Sequence, residues 1–193
     1  AYKFSAQPGE VGYNANTPNL LWAPGDPGFD AANVFRNSLA HYFLPSADEW
    51  YKAAYYDPTA SGGAGGYRNF PTGSDTAPTA VASGTTPGTA VYNQPDSQGP
   101  ADITQAGGLS PYGIMGLGGN AYEMEETESD LTNDNSVPRR GVRGGNWDNP
   151  LSPNFLSASL RAGVNVNEAN HVVGFRVASI VDSADGCILI YPT

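Results

Sequence analysis

Residues 118–124 read Gly118-Gly119-Asn120-Ala121-Tyr122-Glu123-Met124. Paired glycines let the backbone turn tightly, and a carboxylate follows within a few positions. Carbonyls exposed by such a turn, beside a carboxylate, suit a hard cation such as Ca2+, which takes about six to eight oxygens. The same residues open the densest charge in the chain: Glu123, Glu125, Glu126, Glu128, Asp130 and Asp134. A solvated acidic face is the plainer reading of that run, with cation binding the alternative.

Working towards the N-terminus, Ser46-Ala47-Asp48-Glu49 reads as a capping box. Ser46 accepts from the Glu49 amide and Glu49 reaches back, so a helix starts after Pro45. Trp50, Ala53 and Ala54 then share one face and predict its buried side. Asp57-Pro58 ends it. Val34, Phe35, Leu39, Tyr42 and Phe43 recur at mixed three- and four-residue steps, which predicts another short amphipathic helix over 31–43. Before it, Pro8-Gly9, Pro24-Gly25 and Pro27-Gly28 mark turns in an irregular arm. Residues 59–110 are a weakly patterned insertion of Gly, Thr, Ser, Ala and Pro, either disordered or folded by tertiary contacts. Because the 58 residues before it hold too little apolar material for a core, one domain over 1–193 is expected.

On the C-terminal side, residues 142–147, 171–181 and 187–191 are rich in β-branched and aromatic residues between turn formers, and predict two or three antiparallel strands. Arg143 and Arg176 fall within those apolar segments, so each is expected to meet a carboxylate or loop carbonyls.

Composition narrows the function classes. Hydrophobic residues make up 39% and charged residues 15%, with Gly 24 and Pro 16, so loops should outweigh regular elements. That argues against a helical bundle or a Rossmann-like sheet. A net charge of −10 repels phosphate backbones, so nucleic acid is not an expected partner. Cys187 alone rules out an intrachain disulfide and a zinc site built on cysteines, and its apolar surroundings mark a buried small hydrophobe. No stretch approaches the roughly 20 apolar residues of a membrane-spanning helix, so membrane insertion is not expected. Little Lys, abundant Asn, Thr, Ser and Gly, and a start at Ala1 suggest a processed, secreted or cell-surface product.

Three segments together carry a family resemblance. Leu44-Pro45-Ser46-Ala47-Asp48-Glu49-Trp50 resembles the "LPTEAEWE" helix start of the formylglycine-generating enzyme, or sulfatase-modifying factor, family. Tyr112-Gly113-Ile114-Met115 with 118–124 resembles its "YGLYDMHGNVWEW", and Arg143-Gly144-Gly145-Asn146-Trp147 with Gly174-Phe175-Arg176-Val177 its "RGGSW" and "GFRV". The resemblance implies an α+β, C-type-lectin-like fold with low regular structure, short helices and a small twisted antiparallel sheet. The family's N-terminal "EVTN" pattern is not recognisable.

The resemblance also implies chemistry. Its calcium site would fall on Gly119, Asn120, Ala121 and Glu123. The two cysteines with which oxidase members bind copper correspond to Asn149 and Asn154, amides that supply neither a thiolate ligand nor a nucleophile. Iron-dependent relatives take histidines from an additional domain, and only His41 and His171 occur here. The expectation is therefore a non-catalytic, calcium-stabilised binding or assembly module. The alternative is an oxidase of the same family with an unrecognised copper or iron site.

Loops between Asn146 and Asn170 resemble the family's ligand-facing surface, which in retroelement-diversified relatives carries Asn-rich variable positions. Candidate contacts are Asn146, Asp148, Asn149, Asn154, Arg161, Asn165, Asn167 and His171, although asparagine also simply satisfies turn geometry. A glycan, a peptide or a protein suits such a face. Self-association into an oligomer or filament, through the insertion and the strand at 186–191, is a further expectation.

Overall fold

The computed structural model describes residues 24–133, 139–148, 152–165, 170–180 and 188–191. Helix α1 (Ala47–Tyr55) is followed by strands β1 (Tyr56–Asp57), β2 (Gly66–Tyr67), β3 (Thr79–Val81), β4 (Thr89–Val91), β5 (Tyr122–Glu128), β6 (Arg139–Arg143), β7 (Ala162–Asn165), β8 (Val173–Phe175), β9 (Val177–Ile180) and β10 (Ile188–Tyr191). Short strands and many turns are what a chain rich in Gly and Pro builds. Four strands form the central sheet in the order β7-β6-β5-β8; β1-β2, β3-β4 and β9-β10 pair separately.

The capping box forms as expected. Ser46 Oγ accepts from the Glu49 amide at 3.3 Å and Glu49 Oε2 accepts from the Ser46 amide at 2.7 Å. Glu49 also receives two bonds from the Arg36 guanidinium, at 3.0 and 2.8 Å, and Arg36 Nε reaches Glu126 Oε2 on β5 at 2.7 Å. One arginine thus ties the start of α1 to the central sheet. Burial pushes the Glu49 carboxyl up, but the Arg36 bonds and then the Ser46 amide more than reverse this, so it titrates below the usual glutamate range. Its contribution to stability is present above the ordinary glutamate pKa and lost as pH falls through the lowered value. Ser46→Ala removes one half of the cap and should cost about 1 kcal/mol, lowering the melting temperature by about 2–4 °C in a thermal scan.

Behind that start, Trp50, Ala54 and Tyr55 pack with Leu117 in one core cluster. A second cluster joins Phe70, Ala90, Tyr92 and Leu156. Most of its members come from the stretch read as weakly patterned, so tertiary contacts fold that stretch: Phe70 is buried at 8% exposure, and β4 is buried throughout.

Several expectations need correction. Residues 31–43 form turns and not a helix. Asn33 Oδ1 accepts from the Phe35 amide at 3.3 Å and Asn37 Oδ1 from the Leu39 amide at 2.8 Å, so asparagine side chains take the amides a helix would need. The sheet is mixed, because β5 pairs antiparallel with β6 but parallel with β8. Strand β6 ends at Arg143, where Gly144 turns the chain at φ 91°. Cys187 and the turn at Pro8-Gly9 lie outside the described residues.

The four glutamates of the acidic run are not a solvated face, although Asp130 is exposed and Asp134 lies outside the described residues. Glu123, Glu125, Glu126 and Glu128 are buried on β5, and a register shift against β6 between Met124 and Glu128 lets the adjacent Glu125 and Glu126 both turn inward. Arginines from distant parts of the chain meet them. Arg176 pairs with Glu123, and Glu125 lies between Arg143 Nε at 2.9 Å and Arg161 Nε at 2.7 Å. Arg140 donates to the Glu126 carbonyl at 2.8 Å and stacks its guanidinium 3.7 Å from the Phe35 ring centre. Both strand arginines singled out from the sequence are therefore paired: Arg143 also donates to the Ala158 and Leu160 carbonyls, and Arg176 to that of Met115.

Candidate functional site

The turn before β5 is held by its own polar groups. Gly119 adopts φ 75°, and a Cβ there would lie 2.2 Å from the Val91 carbonyl oxygen, so only glycine fits. Asn120 follows at φ 66°; its amide reaches the Val91 carbonyl at 2.7 Å and its carbonyl accepts from Trp147 at 3.1 Å. The Asn120 side chain closes a two-way pair with the Ala101 backbone, at 2.7 and 3.2 Å. Glu123 Oε2 accepts from Trp50 Nε1 at 2.6 Å, and the Arg176 guanidinium contacts both Glu123 oxygens.

Gly119, Asn120, Ala121 and Glu123 are therefore brought together, but they do not fit a calcium cage. The carboxylate such an ion would need is occupied by a guanidinium and an indole, and the Asn120 amide is spent on Ala101. Among the described residues, no three His, Cys, Asp or Glu side chains are grouped to hold a metal ion.

Among the described residues, the candidate ligand contacts do not form one surface. Asn146 is buried at 2% exposure beside Trp147, so it is part of the interior. Arg161 faces inward too: it donates to Glu125 and to the carbonyls of Thr127, Glu128 and Ser129. A guanidinium that saturates the end of a strand in this way is architectural. His171 is exposed and sets its ring edge against Trp147, with centroids 5.5 Å apart. Asp148 is half-buried, Asn165 is exposed on β7, and Asn149 and Asn167 lie outside the described residues.

Asn154 has the most informative surroundings. A 3-10 turn over Pro153–Leu156, capped by Ser152, presents it to solvent at the edge of an open groove of about 510 Å3. Asn69, Ser157 and Ser159 supply the other polar groups, with Phe70 and Leu160 as apolar lining. No lining residue is ionisable. The groove offers amide and hydroxyl hydrogen bonds, and neither a nucleophile of depressed pKa nor an acid–base pair. Sequence reasoning missed Asn69 and Phe70 because they sit in a stretch without periodicity; their only local signal was an aromatic pair, Tyr67 and Phe70, between glycine and proline turns.

Among solved structures, the chain is similar to Treponema denticola variable protein 1, at 19% identity and a TM-score of 0.49, over 79% of this chain and 54% of that one. It is also similar to CarF, at 17% identity and a TM-score of 0.43, over 76% of this chain and 50% of that one. The chain thus spans about half the length of these two structures. No curated protein matches it. The model of the sulfatase-modifying factor enzyme 1-like domain matches residues 14–181, and the α+β arrangement of short helices and small sheets accords with it. With most of its length inside that match, the chain belongs to the sulfatase-modifying factor enzyme 1-like family.

Proposed function

We propose that this chain is a non-catalytic recognition module, displayed outside the cell, that binds a partner through the groove beside Asn154. The observation that carries this reading is the groove itself. At the place where the resemblance puts one of two copper-binding cysteines, the chain sets an exposed asparagine among neutral polar side chains. Amides and hydroxyls on loops over a braced sheet suit recognition, since they can vary without disturbing the core. Export fits a chain poor in lysine and rich in Asn, Thr, Ser and Gly. Self-association remains part of the proposal for the strand at the C-terminal end, and sedimentation of the purified chain reads it directly.

The test is metal loading with a turnover readout. The purified chain is incubated with Cu(I) or Fe(II), dialysed, assayed for retained metal, and then given oxygen and a cysteine-containing peptide. Metal well below one ion per chain and oxygen uptake at the rate of a metal-only control are expected. One copper or iron per chain, with oxygen uptake proportional to protein, would overturn the reading in favour of an oxidase. Melting with and without a chelator should give coincident curves, because an arginine already neutralises Glu123.

A further inference from the structure

We infer that the groove, together with the exposed ring of Tyr67, takes a short neutral oligosaccharide; this rests on the recognition reading above and names its ligand class. Asn69 and Asn154 are both exposed, and neither side-chain amide has a hydrogen-bond partner among the described residues. Each amide presents a donor beside an acceptor, the pattern that adjacent sugar hydroxyls match. The Ser157 and Ser159 hydroxyls lie 2.9 Å apart, so one donates to the other, which leaves the acceptor's own proton and further lone pairs for a ligand.

Tyr67, two positions before Asn69, is 56% exposed. Its ring is braced from behind, with centroids 5.2 Å from both Tyr51 and Tyr56, and the next residue is fixed by the Arg68 amide donating to the Tyr55 carbonyl at 2.8 Å. A rigid tyrosine gives a sugar ring an apolar face at little entropic cost, while asparagine and serine adapt to its hydroxyls.

Other ligand classes fit less well. The groove carries no cation for an acidic ligand, and the chain's charge of −10 repels one. An extended peptide would need free backbone to pair with. Here the wall is already engaged: the Asn69 carbonyl accepts from Ala158, the Asn154 carbonyl from Ser157, and the Ala158 and Leu160 carbonyls from Arg143. Recognition falls to the side chains, which are the neutral donors and acceptors of a carbohydrate site.

The experiment screens the chain on a printed panel of neutral, sialylated and sulfated oligosaccharides, then titrates the best-retained neutral one by calorimetry. Retention of neutral members is expected, with at least a tenfold loss of affinity in Tyr67→Ala and in Asn154→Ala. Both positions are exposed, and unchanged melting curves confirm that the variants fold. No neutral oligosaccharide retained, acidic ones preferred, or equal affinity in both variants would each overturn the inference. A peptide-display selection that yields Asn154-dependent binders while the glycan panel stays silent would also overturn it, yet leave the recognition reading standing. Oxygen uptake in the metal-loading assay would remove the recognition reading independently of the panel.

Discussion

Arg176→Ala should destabilise the chain by about 3–5 kcal/mol, because it strands a buried carboxylate without its cation. Arg176 is 1% exposed and Glu123 6%, so water cannot enter to replace the lost partner without opening the core. Trp50 Nε1 donates to the same carboxylate, so the damage spreads into the cluster of Trp50, Ala54, Tyr55 and Leu117. Denaturant unfolding of Arg176→Ala against Glu123→Gln/Arg176→Met gives the decisive comparison. The double variant removes both charges, keeps an acceptor for Trp50 and roughly keeps the volume, so it should recover most of the loss. Equal destabilisation of both variants would show that the hydrogen bonds made by the Arg176 guanidinium, and not compensation of the Glu123 charge, set the cost.

Glu125→Ala is expected to rival it, again at about 3–5 kcal/mol. This glutamate has no exposed surface, and it separates two guanidinium groups. Removing it sets Arg143 and Arg161 against each other across a void, while their carbonyl bonds to the 127–129 and 158–160 segments hold them in place. Glu125→Gln fills the void but leaves both charges uncompensated. A Gln variant as destabilised as the Ala variant would assign the cost to charge, and a mild one would assign it to packing.

Local chemistry was legible in the sequence where it acted locally. The Ser46–Glu49 cap needs only four residues, and the Trp50-Ala53-Ala54 face only one turn of helix. The need of Arg143 and Arg176 for partners was also readable, since charged groups in apolar segments must be compensated. Their identity was not. Glu123 meets a residue 53 positions away and Glu125 one 36 positions away, and no periodicity records such pairs. For the same reason the run of glutamates looked like surface, although it is the polar spine of the sheet. Residues 31–43 failed differently, because their apolar spacing suits a helix while Asn33 and Asn37 cap their own neighbours. The candidate site was half legible. Asn154 was marked by its place in the family pattern, but Asn69 and Phe70 reach the groove by a fold through glycine-rich turns that the composition conceals.

The parallel pairing of β5 with β8 has a consequence for how the protein is made. Tyr122, Glu123 and Met124 pair with Val173, Gly174 and Phe175, a segment that leaves the ribosome well after β5 and β6. Parallel pairing over such a separation forms slowly, since a long loop must close first. Until then β5 has an open edge and Glu123 lacks Arg176, so a nascent chain ending short of residue 176 carries the sheet only as β7-β6-β5. The step that covers the open edge of β5 is also the step that brings the buried Glu123 its cation, and closure of the sheet is thereby tied to synthesis of the segment 173–176.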